Sequence, residues 1–341
     1  MDIVVLAGGL SDEREVSLSS GSQIANALMA NGHRVLLMDI YDGIADCQHF
    51  QTAYERYQVE TYRHVIAEEA PDLEKLKKDS TDLVGPNVID ICKSCDMVFL
   101  ALHGGIGENG QLQALFDIYG INYTGSGYKS SLLAMDKKIS KELMVYHGIK
   151  TAKWQVVTRE TNIEEIQLPA VIKPNDNGSS IGVEIVEDQK QLEHSLEKAH
   201  QYGDTVLVEE KITGREFSVG ILGNNVLPII ELIPKEGFYD YKNKYQQGLT
   251  EEVTPAKLPQ SLTEKMQKTA WHVHQMLGLS VYSRVDFMMN DAGELYVIEA
   301  NSLPGMTPAS LLPQEAEAAG ISYNELCEKI VQLSYERFTN K

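Results

Sequence analysis

Apolar positions at the start of the chain switch from strand spacing to helix spacing and back, and this order predicts the first unit of the fold. Residues 2–40, DIVVLAGGLSDEREVSLSSGSQIANALMANGHRVLLMDI, are typical of a strand, a glycine-rich loop, a helix and a second strand. Ile24 and Leu28 fit helical spacing, and Asn31-Gly32 is a typical helix end. Because strand–helix–strand crossovers join parallel strands, we expect a parallel α/β sheet.

The same plan recurs at residues 96–125, DMVFLALHGGIGENGQLQALFDIYGINYTG, which predict a strand, a glycine-rich loop, a helix and another strand. Ligands of such sheets bind at loops that follow the carboxyl ends of strands. Glu13 and His103 lie in these loops and are candidate binding residues. Their ordinary alternatives are a carboxylate at the start of a helix and a histidine that hydrogen-bonds within its own loop. Residues 43–90 are polar, with a charged helix-like piece at 72–79, and predict no role.

From Ser126 onward, helices and antiparallel strands predict an α+β arrangement. Residues 131–148 predict one amphipathic helix that ends at Gly148. The expected strands and helix that follow are WQVVT, PAVIKP, GVEIV, residues 189–200 and TVLVEE. Two hairpins come next, one turning at residues 223–225 and one around residues 291–292. The polar stretch between them, residues 233–255, is long enough to indicate a lid or a disordered loop.

The last hairpin, YSRVDFMMNDAGELYVIEAN, carries the strongest chemical signal. If its loop has an even number of residues, Arg284 faces Glu299 and Asp286 faces Val297. Because side chains alternate along strands, four polar residues then share one face: Arg284, Asp286, Glu299 and Asn301. The expected core face holds Val285, Phe287, Tyr296 and Ile298. Carboxylate and amide oxygens are the ligands that Mg²⁺ prefers, although an ordinary exposed hairpin face remains the alternative.

Residues 170–183, AVIKPNDNGSSIGV, place Lys173 at a strand end before a loop with Gly178, Ser179 and Ser180. Loop N–H groups beside an ammonium group bind anionic oxygen, although a polar hairpin turn is the alternative. Together with the acidic hairpin, this loop predicts a site for a nucleoside triphosphate and Mg²⁺. Because no G-x-x-x-x-G-K-[ST] motif occurs, we expect the nucleotide to lie between strands.

Length, composition and charge limit the class of protein. A chain of 341 residues predicts two or three domains, and 43% apolar and 23% charged residues are typical of a globular protein. The formal charge of −19 disfavours nucleic acid and anionic membranes as partners. No membrane-spanning run and no signal-peptide pattern appear, so we expect a cytoplasmic protein. Cys92 and Cys95 form a lone C-x-x-C and are expected to be ordinary thiols.

Eight short motifs in order give a family resemblance. They are GGLSDEREVSLSSG, ALHGGIGENGQLQ, YTGSG with AMDKKISK, VIKPNDNGSSIGV, VEEKITGREFSV, GFYDYKNKY, SRVDFMM and EANSLPGMTPAS. The chain resembles the D-alanine–D-alanine ligases of the ATP-grasp superfamily from end to end. The resemblance implies three domains: a parallel α/β domain at 1–125, a central domain at 126–210, and a C-terminal domain at 211–341 with a lid loop at 234–255.

The resemblance also implies where the nucleotide and the metal bind. ATP is expected between the central and C-terminal domains, with two Mg²⁺ ions that Mn²⁺ can replace. The implied nucleotide-binding residues are Lys137, Lys173, Ser180, Glu209, Ile212, Glu216 and Phe238. The implied metal ligands are Asp286, Glu299 and Asn301.

By the same resemblance, two D-alanine molecules are joined through an acyl phosphate, for peptidoglycan precursor synthesis. The implied catalytic residues are Glu13, Ser179, Tyr245, Arg284, Gly305 and Ser310. The implied substrate-binding residues are His103, Glu108, Lys244 and Leu311. Glu13 is expected to hold the first ammonium group, Arg284 and Gly305 the oxyanion, and Lys244 and Ser310 the second carboxylate. The ordinary alternatives are a helix N-cap for Ser310 and loop packing for Tyr245.

Three rival functions remain open at this level. A relative that joins D-alanine to D-serine or D-lactate is the nearest, although Tyr245 favours the dipeptide. A ligase for a different acid is disfavoured by Glu13, Ser179 and Tyr245, and a silent nucleotide-binding scaffold is disfavoured by Arg284 and the metal set. Relatives are commonly homodimers, so we expect a homodimer.

Overall fold

The computed structural model describes residues 1–65, 72–77, 82–178, 182–235 and 249–339. Its strands form three sheets, and helices cover them. The first sheet is parallel, in the order β2-β1-β3, and consists of β1 (Asp2–Ala7), β2 (Arg34–Asp39) and β3 (Met97–Leu100). The predicted parallel α/β unit at the N-terminus is therefore confirmed. The strand expected after it is reduced to a single parallel bridge between Val98 and Tyr123.

Helices of the first unit pack on this sheet and bury both faces of its strands. The predicted first helix is confirmed as α1 (Arg14–Ala30), which ends at Asn31. The others are α2 (Phe50–Tyr57), α3 (Leu73–Leu76), α4 (Val88–Lys93), α5 (Gly105–Glu108) and α6 (Gln111–Tyr119). In the described part of the helix-like piece expected at 72–79, which is residues 72–77, the structure has the four-residue helix α3.

The single helix expected at 131–148 is wrong, because the structure has two helices there. These are α7 (Tyr128–Met135) and α8 (Lys137–Tyr146). Asp136 separates them with extended backbone, and its carboxylate accepts a hydrogen bond from the Ile139 amide at 2.9 Å. Aspartate at an N-cap starts a new helix, and this local preference interrupts the apolar periodicity.

The second sheet is antiparallel, in the order β4-β7-β5-β6, as the sequence pattern predicts. Its strands are β4 (Trp154–Val157), β5 (Ala170–Pro174), β6 (Glu184–Val186) and β7 (Val206–Glu210). Helix α9 (Gln189–Ala199) packs its apolar side against this sheet, and Asp188 caps it.

The third sheet is also antiparallel, in the order β11-β10-β8-β12-β13, with β9 paired to β8. Its strands are β8 (Gly214–Leu222), β9 (Asn225–Val226), β10 (Ile230–Pro234), β11 (Thr250–Val253), β12 (Tyr282–Asn290) and β13 (Leu295–Asn301). The predicted turn at 223–225 is confirmed, but β11 lies inside the stretch expected to be a structureless loop. Because β10 leaves an edge with unpaired hydrogen-bonding groups, residues 250–253 complete the ladder there.

The register of the last hairpin differs from the predicted one. Its turn is Asp291–Gly293, an odd length, and a bulge between Asp286 and Phe287 shifts the pairing by one residue. Asp286 therefore faces Glu299 and Arg284 faces Asn301, whereas the sequence predicted Arg284 opposite Glu299.

The bulge also decides which side chains reach the core. The odd-length turn and the bulge each shift the pairing by one residue, and a total shift of two keeps each side chain on its face, so the predicted polar face is confirmed. On the core side, Val297 is buried with Val285 and Phe287, while Ile298 lines the cleft described below. The placement of Ile298 on the core face was therefore wrong, whereas Tyr296 is buried.

Three further helices complete the fold: α10 (Gln260–Met276), α11 (Leu311–Ala318) and α12 (Tyr323–Thr339). The last helix returns to the first sheet, where Leu326, Ile330 and Val331 share one core with Ile3 and Val98. The domain boundaries at 125 and 210 stay a prediction. No helix in the described ranges is both long enough and apolar enough to cross a membrane.

Candidate active site

A cleft of about 470 Å³ lies between the second and third sheets. Its walls are partly apolar, from Val171 and Ile185 on one sheet and Leu232, Met288 and Ile298 on the other. Charged residues from both sheets and from α8 also line it. They include Lys137, Lys173, Glu209, Glu216, Asp286 and Glu299. Apolar walls with a few convergent charged groups suit a flat ring attached to an anionic tail.

Lys173 and Glu209 form a buried ion pair on the cleft side of the second sheet. The two side chains project from the adjacent strands β5 and β7, and Lys173 Nζ lies 2.9 Å from Glu209 Oε1. A third residue, Lys141 of α8, brings its Nζ to 3.1 Å from the same oxygen. Burial lowers the pKa of Lys141 to about 8, although Glu209 opposes this effect. Two ammonium groups thus share one carboxylate at the cleft wall.

Lys137 opens helix α8 and reaches toward the loop that follows β5. Its Nζ donates a hydrogen bond to the Asn177 carbonyl at 2.6 Å and lies 3.7 Å from Glu299 Oε2. Its backbone N–H donates to the Asn175 carbonyl at 3.1 Å. The loop predicted to bind an anion is therefore anchored to the start of α8, and Lys137 lies between that loop and the acidic hairpin.

The polar face of the last hairpin gathers around Asp286. Arg284 donates two hydrogen bonds to this carboxylate, at 2.9 and 2.8 Å, and Asn301 Nδ2 donates a third at 2.9 Å. Ser218 on the neighbouring strand donates a fourth, at 2.7 Å. The predicted set is therefore brought together, with Glu299 directly across from Asp286.

The donor chemistry of this face fits a hard cation. Asp286 and Glu299 supply carboxylates and Asn301 supplies an amide oxygen, which are all oxygen ligands of the kind Mg²⁺ takes. In the described ranges no three histidine, cysteine, aspartate or glutamate side chains come together as a metal-binding group. A metal here would therefore need the Asn301 amide or an oxygen from its ligand as well.

A second group of charged residues lies where the first unit meets the loop after β5. Glu13 is buried. A Cβ atom added to Gly104 would lie 3.1 Å from Glu13 Oε2, and one added to Gly178 would lie 3.2 Å from the same atom. The same Cβ on Gly178 would lie 3.6 Å from Glu108 Oε2. Gly178 therefore lets the central loop approach two carboxylates closely. Glu13 makes no side-chain capping hydrogen bond to α1, so helix capping does not explain its burial.

His103 sits beside these carboxylates. Its Nδ1 lies 3.8 Å from Glu108 Oε1 and its Nε2 lies 3.3 Å from Ser20 Oγ. Burial by itself lowers the pKa of His103, but the hydrogen bond with Glu108 and the charge of Glu13 outweigh it, so the pKa is raised overall. The loop thus contains a histidine whose charged form is favoured between two acids.

Gly305, Ser310 and Leu311 lie close together after β13. A Cβ on Gly305 would be 3.0 Å from Ser310 Oγ, which accepts a hydrogen bond from the Thr307 amide at 3.1 Å. Ser310 occupies the N-cap position of α11 as one alternative predicted, but its side chain makes no capping hydrogen bond to the helix. Leu311 is buried with Ile230 and Leu232.

Some predicted site residues lie outside the described part of the chain. They are Ser179, Ser180, Phe238, Lys244 and Tyr245. Ile212 lies on the connection between β7 and β8, Glu216 lies in β8, and both line the cleft.

Sequence reasoning missed two buried residues near the cleft, Lys141 and Glu315. Lys141 follows Lys137 by one helical turn, and this spacing is a signal that both ammonium groups share one side of α8. Glu315 projects from α11 into the third sheet, where Gly220 leaves room for it, because a Cβ there would lie 2.4 Å from Glu315 Oε2. No sequence signal reveals the contact between Gly220 and Glu315, since it depends on how α11 packs.

The antiparallel sheets that enclose a charged cleft, joined to a parallel N-terminal unit, define a protein of the ATP-grasp type. Family models described as D-ala D-ala ligase N-terminus and C-terminus match residues 2–126 and 140–332. D-alanine–D-alanine ligase of Pediococcus pentosaceus is 48% identical over 97% of each chain, and that of Lacticaseibacillus casei is 44% identical over 97% of this chain and 95% of its own. A crystal structure of D-alanine–D-alanine ligase from Bacillus anthracis complexed with ATP has a TM-score of 0.75 at 31% identity, covering 99% of this chain and 98% of that one. The chain belongs to the D-alanine–D-alanine ligase family.

Proposed function

We propose that this protein joins two D-alanine molecules to D-alanyl-D-alanine with ATP, for peptidoglycan precursor synthesis. The observation that carries the proposal is the charged cleft between two sheets, in a chain that matches both family models over most of its length. The same combination disfavours a silent nucleotide-binding scaffold, because Arg284 and the acidic hairpin are retained together.

The reaction needs ATP because a carboxylate is a poor electrophile. The γ-phosphoryl group passes to the carboxylate of the first D-alanine, giving an acyl phosphate and ADP. The amine of the second D-alanine attacks the acyl carbon, a tetrahedral intermediate forms, and it loses phosphate to give the amide. The atoms balance as ATP and two D-alanine in, and dipeptide, ADP, phosphate and a proton out.

In the proposed ATP complex, Lys137 and Lys173 hold phosphate oxygens, and Ile212, Glu209 and Glu216 hold the nucleoside. The lining of the cleft supports this assignment, since all five residues are part of it. Ser180 and Phe238 complete the proposed set by resemblance alone.

Asp286, Glu299 and Asn301 are the residues that would hold two Mg²⁺ ions, with Mn²⁺ as a substitute. Bound Mg²⁺ would neutralise phosphate oxygens during transfer. The oxygen-donor chemistry of the three side chains on one hairpin face supports this proposal.

On the substrate side, we assign Glu13 to the ammonium group of the first D-alanine, with His103 and Glu108 beside it. Arg284 and the Gly305 backbone N–H would stabilise the oxyanion. Ser310, Leu311 and Lys244 would hold the second D-alanine, and Ser179 and Tyr245 would orient Glu13. The lid loop at 234–255 would exclude water from the acyl phosphate. The burial of Glu13 beside Gly178 and the closeness of Gly305 to Ser310 support these roles.

Product analysis tests the proposed function directly. The protein is incubated with ATP, Mg²⁺ and D-alanine, and then with D-alanine, D-serine and D-lactate in competition at neutral pH. We expect D-alanyl-D-alanine and one ADP per dipeptide. A dominant depsipeptide or D-alanyl-D-serine product would replace this function with that of the nearest rival, and no product with any of the three would support the scaffold.

We also propose a cytoplasmic homodimer. The cytoplasm supplies ATP, and the resemblance implies two copies. Light scattering of the purified chain would give twice the monomer mass of 38.0 kDa if the dimer forms. A single species at the monomer mass would contradict it.

A further inference from the structure

Lys141 is a fully buried cation next to the cleft but does not line it. Its side chain has almost no exposed area, and the cleft wall in front of it is formed by Ala152, Lys173 and Glu209. Trp154 covers it from another side, with the ring centroid 5.6 Å from Nζ. A buried ammonium group is costly unless it is paired, so its partners indicate what it does.

The partners of Lys141 belong to both sheets of the cleft. On the second sheet, Nζ lies 3.1 Å from Glu209 Oε1, the oxygen that Lys173 contacts at 2.9 Å. Toward the third sheet, Nζ donates to Thr151 Oγ1 at 2.7 Å, and Thr151 Oγ1 donates to the Val297 carbonyl at 2.7 Å. Val297 is two residues before Glu299 on β13. One side chain therefore connects the ion pair on one wall to the strand on the other wall that carries the proposed metal ligands Glu299 and Asn301.

We propose that Lys141 is a positioning residue for the ATP site. Its ammonium group holds Glu209 and Lys173 in place and sets the separation of the two cleft walls. This inference rests on the proposed function for the identity of the nucleotide.

The charge balance explains why positioning needs a cation here. Lys173 has to contact phosphate while it also pairs with Glu209. With Lys141 present, Glu209 keeps a cationic partner when the ammonium group of Lys173 turns toward a phosphate. Without Lys141, Glu209 would hold Lys173 more strongly and away from the nucleotide. Loss of Lys141 is therefore expected to weaken ATP binding rather than D-alanine binding.

The test compares Lys141→Met, which keeps the length of the side chain, with Lys141→Arg, which keeps the charge. The Kd of a non-hydrolysable ATP analogue is measured by calorimetry, and kcat and KM for ATP and for D-alanine by ADP release. We expect Lys141→Met to raise the Kd and the KM for ATP about tenfold or more, because one member of a buried charge cluster is removed. The KM for D-alanine should stay within about twofold, and Lys141→Arg should recover part of the ATP affinity.

Lys138→Met is the matched control, since Lys138 lies three residues before Lys141 on the same helix, is half exposed, and approaches Glu142 at 3.9 Å. It should bind the analogue like the wild type. The double variant Lys141→Met with Glu209→Gln should raise the Kd of the analogue by less than the product of the fold increases in the two single variants. The reason is that the negative charge of Glu209, which Lys141 would otherwise balance, is absent from the double variant.

Thr151→Val carries the test if Lys141→Met does not fold, since it removes only the hydroxyl that joins Lys141 to β13. A several-fold rise in the Kd of the analogue is expected there as well, with D-alanine unaffected. Wild-type analogue affinity in folded Lys141→Met, equal losses for ATP and D-alanine, or unchanged affinity in Thr151→Val would overturn the inference. A wild-type protein that binds the analogue but forms no dipeptide would instead overturn the proposed function.

Discussion

Asp286 is the most strongly constrained side chain of the acidic hairpin. Ser218, Arg284 and Asn301 all donate hydrogen bonds to it, so its two oxygens are oriented before any ligand binds. Glu299, by contrast, lies 3.7 Å from Lys137 Nζ and keeps about a quarter of its side chain exposed. Asp286 therefore holds the site in shape, while Glu299 is the more exposed of the two carboxylates.

At this scale we expect Glu299→Ala to remove ATP turnover while the fold persists. The variant loses a proposed metal ligand but leaves the Asp286 hydrogen bonds intact, so kcat should fall by about 100-fold or more. Its thermal unfolding midpoint should stay near that of the wild type. Glu294→Ala is the control, because Glu294 is half exposed and neither it nor its partners Lys150, Asn290 and Tyr296 line the cleft. Wild-type turnover in Glu299→Ala would remove the metal assignment.

Glu315 leads to a pH-dependent prediction. Burial raises the pKa of Glu315 well above its ordinary range, with Arg284 opposing and Asp286 adding to the effect. An acid whose folded pKa is raised stabilises the fold below its unfolded pKa, near 4.5, and loses that contribution as pH rises toward the folded value. Glu315→Gln does not titrate. The melting temperature of the variant minus that of the wild type should therefore increase as the pH rises from 5 to 8. Calorimetric scans in steps of about one pH unit measure both temperatures. A constant difference across this range would show that the carboxyl is not buried as described.

Among the elements, helix α8 matters most to the cleft because its first two turns carry both Lys137 and Lys141. The helix starts at Asp136, which is why the structure has two helices where the sequence pattern predicts one. The break lets α8 point its start at the loop after β5, so that Lys137 bonds to the Asn177 carbonyl. A continuous helix would carry these lysines in another direction.

We expect Asp136→Ala to weaken ATP binding as well as stability. Loss of the N-cap should cost about 1 kcal/mol of unfolding free energy, because the Ile139 amide loses its acceptor. The KM for ATP should rise several-fold, since the first turn of α8 then frays. Asp188→Ala is a closely matched control, because Asp188 caps α9 in the same way, at 2.9 Å from the Gln191 amide, but α9 carries no cleft residue. Equal KM values in the two variants would show that the cap contributes to stability alone.

The N-terminal and C-terminal ends of the chain pack into one shared hydrophobic core. Helix α12 packs on α1 and the first sheet, and Asn31 donates a hydrogen bond to the Asn324 carbonyl at 2.9 Å. His33 and Glu328 lie 2.7 Å apart in the same contact. The first and last elements therefore support each other, although almost the entire sequence separates them.

Ile330→Ala should consequently destabilise the first sheet as well as α12. Ile330 is fully buried in the core that contains β1 and β3, so its truncation should cost about 2–5 kcal/mol. Hydrogen exchange followed by mass spectrometry should show faster exchange in β1 and β3 than in β8 relative to the wild type. Tyr335→Ala is the control on the same helix, because Tyr335 is largely exposed. Faster exchange confined to α12 would mean that the first sheet is stable without it.

Much of the fold and site was predictable from local pattern. Buried strands, glycine-rich loops and the helix at 14–30 follow from periodicity, and the acidic hairpin face follows from strand alternation. The hairpin also shows where this reasoning ends. Its polar face was predicted correctly only because the odd-length turn and the bulge together shift the pairing by two residues, which keeps each side chain on its face, and the partners across the strands were wrong. A bulge is decided by packing on the neighbouring strand, which no spacing within the hairpin records.

The sequence by itself determined the element types, the candidate charged residues and the family, because these depend on residues close together in the chain. Only the tertiary structure decided that Lys141 and Lys173 share Glu209, that Glu315 lies under Gly220, and that α12 closes on the first sheet. Each of these contacts joins segments far apart in sequence. Burial then sets their charge and geometry, and burial is a property of the packed molecule rather than of any single stretch of chain.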